Sequence, residues 1–98
     1  EVVSSPADIA LGLAKYDRLE SDRGMLFELN KRSTPTFWMK NMQFDIDILW
    51  ISDGTVIGVS QGFAATPLTL INPPSAVNSV LEVNLNSGIK VGDRIKIN

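Results

Sequence analysis

The chain contains neither cysteine nor histidine among its 98 residues. Without cysteine it has no disulfide, no thiolate nucleophile and no zinc–thiolate site. Without histidine it lacks the usual general base, the commonest metal ligand and every Ser-His or Cys-His relay. Any catalysis must therefore run on carboxylates, Lys15, Lys40, Tyr16 or hydroxyls. Positive charge is also sparse: 9 basic residues stand against 11 acidic ones, for a net charge of −2. The basic residues are scattered and form no stripe, which argues against a nucleic-acid partner. No apolar run is long enough to span a membrane, and no signal- or transit-peptide pattern is present. Internal repeats, linkers and low-complexity tracts are absent as well.

What remains is the composition of an ordinary globular domain, 44% hydrophobic and 20% charged. A chain of this length buries roughly 65% of its unfolded surface, enough for one core without staples. A single domain over residues 1–98 and a monomer are expected. The opening "EVVSS" is strand-like and has no initiator Met, so a preceding segment is expected to have been removed. Membrane association is expected only through such a segment. The lack of cysteine suits both cytosol and export and leaves the compartment open.

The local signals are mostly those of β-structure. "SSPADIALGLAKY" predicts a short N-terminal helix, with Ser5 as N-cap, Pro6 at the first helical position and Ile9 and Leu13 on one face. Gly12 limits it to about two turns. "SDRG" then turns into a strand over 24–29. "ILWISDGTVIGVS" predicts a hairpin, because Asp53-Gly54 suits a two-residue type I′ turn. Pro73-Pro74 excludes a central strand, "SVLEVNL" alternates as a further strand, and Gly92-Asp93 marks a turn before a last one.

The most aromatic stretch, "FWMKNMQFDIDILW", holds a polar pair at Lys40-Asn41. On an unbroken strand Lys40 would share a face with Trp38, Met42, Phe44, Ile46, Ile48 and Trp50. Either a bend near Asn41 to Asp45 resets the phase, or Lys40 points inward to a partner. Two strands, about 36–40 and 46–52, with a bend between them are predicted. Lys40 either snorkels its ammonium to water or meets Asp47 or Glu82 as counter-ion. Glu82 interrupts the apolar "VLEV" much as Lys40 interrupts "WMKN".

"GMLF" at 24–27, "FWMKNM" at 37–42, "DILWI" at 47–51, "VLEVN" at 80–84 and "IKVGD" at 89–93 follow one another in order. In that arrangement the chain closely resembles, over nearly its whole length, the bacterial and archaeal family called domain of unknown function 192. The resemblance implies a compact antiparallel β-sandwich or barrel-like domain, in agreement with the strand signals. It also implies an exported setting, periplasmic, cell-surface or secreted, and no particular activity. Its motif positions here are Gly24, Trp38, Lys40, Asn41, Asp47, Glu82, Gly92 and Asp93. The chain departs from the pattern at Ile9 and Asp45, and at "LNSG" after Asn84, where a longer insert is usual.

Three functions compete. The first is a non-catalytic, extracytoplasmic domain that binds a small molecule, glycan or protein through Trp38, Lys40, Asn41, Asp47 and Glu82, with no cofactor. The second is a hydrolase or lyase pairing Asp47 with Glu82, since carboxylates in unlike environments can divide acid and base roles. The third is structural: Gly24 and Gly92 answer backbone dihedrals, and Asp93 a turn. Asp45 and Asp47 project alike on a strand, but two carboxylates without a ligand loop make a weak metal signal. Met25, Met39 and Met42 fit a core better than a soft-metal site, and no metal is expected.

Overall fold

A computed structural model describes Val2–Val3 and residues 24–96. Five strands, β1 (Val2–Val3), β2 (Gly24–Ser33), β3 (Ile46–Ser52), β4 (Thr55–Gly62) and β5 (Val77–Asn84), form one sheet in the order β1-β2-β5-β3-β4. β1 joins β2 in parallel, and the other four strands are antiparallel. The domain is mainly β, and no helix occurs among the described residues. The predicted N-terminal helix lies outside them.

β5 is central, flanked by β2 and β3. Its register sets Val80 beside Phe27 and Trp50, and Glu82 beside Met25 and Ile48. Those side chains share one face, and the apolar ones among them belong to the buried core. The opposite face carries Leu26, Leu49 and Ile51, also buried. β3 is thus covered on both sides, which accounts for its nearly unbroken apolar run.

The hairpin between β3 and β4 turns at Asp53 (φ 51°) and Gly54 (φ 81°), as a type I′ turn requires. Beyond it the register shifts between Trp50 and Ile51, so that Ile57 becomes an extra residue on β4. Trp50 is fully buried and its indole Nε1 donates to Ser60 Oγ at 2.9 Å, so its polar edge is satisfied.

Over the Trp50 face lies a second layer drawn from residues 34–45 and 63–76, joined by the isolated bridge Phe37↔Ile71. Phe37 meets Phe27 edge-on at 5.4 Å and Trp50 at 5.6 Å, aromatic contacts worth about 0.5–1.5 kcal/mol each. The aromatic stretch does divide at a bend, but its first half forms this bridge rather than a full strand over 36–40. Only side chains that alternate inward, such as Phe37 and Met39, are held by the core. The last segment likewise makes one bridge, Thr55↔Arg94, instead of a strand.

The Pro73-Pro74 loop closes against the sheet where Gly58 leaves room. A Cβ there would stand 2.8 Å from Pro74 Cγ and 3.2 Å from Trp50 Cδ1. Gly58→Ala is therefore expected to lower stability by about 1–3 kcal/mol through overpacking. Urea unfolding followed by Trp fluorescence measures this, and an unchanged midpoint would refute the tight contact.

Candidate functional site

The polar pair inside the aromatic stretch is a turn. Met42 N–H donates to the Met39 carbonyl at 2.9 Å, and Asn41 adopts φ 66°. Lys40 and Asn41 are its two central residues, and asparagine tolerates the left-handed conformation that the third position needs. Lys40 is consequently exposed. Its Nζ stands 5.1 Å from the centroid of the Trp38 ring, a cation–π contact worth about 0.5–1 kcal/mol at an exposed site. Lys40 forms no ion pair with Asp47 or Glu82; of the two alternatives, an inward counter-ion or an ammonium held out to water, the turn gives the second.

Trp38 is 48% exposed, while Met39 beside it is buried. Phe37 pairs with Ile71, and Met39 N–H donates to the Pro67 carbonyl at 3.1 Å. Residues 37–39 and 67–71 thus run together, with Phe37 and Ile71 packed on the core and Trp38, Leu68 and Leu70 exposed outside. Leu68 and Leu70 were not singled out from the sequence. No local pattern in "TPLTLI" marks an outer side, and only pairing with the Trp38 segment reveals one. The structure therefore unites Trp38, Lys40 and Asn41 with two leucines and leaves Asp47 and Glu82 elsewhere.

Asp47 and Glu82 do not meet. In the β3–β5 register Ile48 faces Glu82 and Asp47 faces Val83, so the two carboxylates project from opposite sides of the sheet. A paired acid and base across one cleft cannot be built from them. Asp47 is 4% exposed, and its Oδ2 accepts from both Ser87 N–H and Ser87 Oγ at 2.9 Å. Its Oδ1 is buried and has no hydrogen-bond partner among the described residues. Ser87 belongs to the "LNSG" segment, where Asn86 (φ 61°) and Gly88 (φ 85°) make the tight return. The short replacement for the usual insert thus supplies the two donors that hold Asp47. Asp45 is also committed, accepting from Ala64 N–H at 2.8 Å. Among the described residues, no three acidic side chains gather where they could share a metal ion.

Glu82 is 6% exposed on the apolar face, and no donor among the described residues reaches it. Burial pushes its carboxyl from the ordinary 4.5 up to about 7.

The remaining motif positions hold backbone. A Cβ on Gly24 would lie 2.9 Å from Val83 Cγ1 and 3.0 Å from the Glu82 carbonyl. Gly92 (φ 96°) closes a turn in which Asp93 N–H donates to the Lys90 carbonyl, while Asp93 Oδ2 accepts from Lys90 N–H at 2.9 Å.

The family model described as "Uncharacterized ACR", domain of unknown function 192, matches residues 1–97. The chain belongs to that family. Two solved structures share the fold of this family member. One, a protein of unknown function from Novosphingobium aromaticivorans DSM 12444, is 28% identical with a TM-score of 0.91, covering 99% of this chain and 73% of its own. The other, from Sinorhizobium meliloti 1021 and provisionally described as a transcription regulator, is 29% identical with a TM-score of 0.89, covering 96% and 77% respectively. No curated protein matches the chain.

The folded chain keeps the Glu82 proton up to about pH 7, whereas the unfolded chain releases it near 4.5. Between those values the folded state binds more protons, so stability falls as pH rises through this window. Glu82→Gln is expected to flatten that dependence and, above pH 7, to add on the order of 3 kcal/mol. Chemical denaturation at pH 4.5, 6 and 8 checks it; parallel wild-type and variant curves would contradict the burial argument.

Proposed function

We propose that this family member is a non-catalytic binding domain, monomeric and acting outside the cytoplasm, whose contact face is the outer side of the paired segments bearing Trp38 and Leu70. The observation that carries this reading is a half-exposed indole beside an ammonium that has no carboxylate partner among the described residues. An indole face accepts a pyranose ring or another flat apolar group, and a free ammonium accepts a carboxylate or phosphate. The ligand class is therefore an anionic glycan fragment or a comparable small acid with an apolar face. Asn41, at the next position of the turn, is exposed as well. The exported setting is supported by the family resemblance.

Catalysis by Asp47 with Glu82 loses its motivation, because the sheet stands between the two groups. The transcription role named for the Sinorhizobium protein belongs to that protein. Here the negative balance of charge and the scattered basic residues give no electrostatic footprint for DNA.

Ligand-detected NMR against sugar acids, amino acids and peptidoglycan fragments tests the proposal. A binder should perturb the Trp38 indole, and Trp38→Ala or Lys40→Ala should weaken it at least tenfold. Trp38→Ala should lower stability by about 1–3 kcal/mol without unfolding the chain, since half of the indole is covered and half lies open. Silence across the panel would overturn the small-ligand reading.

A further inference from the structure

We propose that the acid bound at the Trp38 face carries an aliphatic chain, so that the ligand is a free anionic amphiphile of medium length; this rests on the reading of that face as a contact surface. Two ties fix the outer segments. Phe37 and Ile71 exchange both backbone hydrogen bonds, at 2.9 and 2.8 Å, and Met39 N–H donates to the Pro67 carbonyl at 3.1 Å. Between those ties one segment supplies a single residue, Trp38, and the other supplies Leu68, Thr69 and Leu70. The surplus is taken up by a turn in which Thr69 N–H donates to the Thr66 carbonyl at 3.3 Å. Both leucines are thereby confined to the stretch opposite the indole.

Leu68 and Leu70 are 66% and 63% exposed, more open than Trp38 itself at 48%. A pyranose ring stacked on the indole would leave both leucines in water, whereas an aliphatic chain covers them. The charged end is set by Lys40 Nζ, 5.1 Å from the centroid of the indole. Adding the ~5 Å between side chains that oppose each other across a strand pair gives a span of roughly 10 Å from ammonium to leucine, the reach of a medium-length acyl chain. A stable protein interface takes about 20–30 residues a side, far more than this patch offers. An anionic bilayer is held by clusters of basic residues. Lys40 supplies a single ammonium here, and the chain as a whole carries a net charge of −2. A dissolved amphiphile with one acid group matches one cation beside a small apolar patch.

The test is a titration of the full chain with butanoate, hexanoate and octanoate, with glucuronate and octanol as controls. NMR of the Trp38 indole N–H and of the Leu68 and Leu70 methyl groups reads it. Half-covered methylenes should tighten binding about fourfold for each two-carbon step. Leu68→Ser and Leu70→Ser, both at exposed positions, should each weaken octanoate at least fivefold and leave butanoate unchanged. Lys40→Met should abolish the preference for octanoate over octanol. Full octanoate affinity in both leucine variants would overturn the proposal. A response to glucuronate with no dependence on chain length would overturn the aliphatic ligand and leave the binding face standing, whereas silence towards every acid would overturn both. Binding to phosphatidylglycerol vesicles without a response to monomeric octanoate would assign the patch to a bilayer and overturn the proposal. Concentration-dependent self-association that is lost in Leu70→Ser would assign it to a second copy of the chain, with the same consequence.

Discussion

β5 lies between β2 and β3 with Leu81 opposite both Leu26 and Leu49, and every assignment of side chains to faces depends on that three-strand register. A slip of one residue on either side would exchange the two faces. Val80 would leave the aromatic cluster of Phe27, Phe37 and Trp50, and Leu81 would replace Glu82 on the inner side. The register is pinned because β3 is buried on both faces and β5 buries its Val80 and Glu82 side, so a slip would bring partly exposed positions into the core and core side chains out of it. Gly24 adds a steric pin at the end of β2, where a side chain would strike Val83 and the Glu82 carbonyl.

From that sheet the second layer takes its position. Phe37 fills the place between Phe27 and Trp50, and Met39 packs over Gly62, where a Cβ would come within 2.5 Å of its sulfur. These two inward side chains fix the segment, and the turn at Lys40-Asn41 is what lets the chain return to the sheet as β3. The exposure of Trp38 follows from the burial of its neighbours. A residue between two core anchors on an extended segment has to face outward.

The β3–β4 hairpin was legible because its turn chemistry is local: Asp-Gly between apolar runs leaves few other conformations. The bend in the aromatic stretch was legible for the same reason, since Asn41 marks it. The fate of Lys40 was not, because periodicity places a residue on a face but does not say whether a turn removes it from the strand. Asp47 and Glu82 looked like partners, being two acids in apolar surroundings, and only the pairing of Ile48 with Glu82 sets them apart. Ser87 as the partner of Asp47 joins positions forty apart in the chain, which no local pattern encodes. The outer leucines were hidden for a similar reason, as residues 67–71 acquire an inside and an outside only against residues 37–39.

The C-terminal turn has an effect on the sheet as a whole. Val56 N–H donates to the Asp93 carbonyl and Gly92 N–H to the Val56 carbonyl, so the outer rim of β4 is occupied where that strand begins. At the opposite rim, β1 is two residues long and offers little template. The stretch of β4 beyond the turn runs from Gly58 to Gly62, bounded by the residue least suited to extending a strand. An edge occupied in this way offers fewer free backbone groups for a further strand to pair with. The motif "VGD" thus covers part of the β4 edge as well as closing a turn.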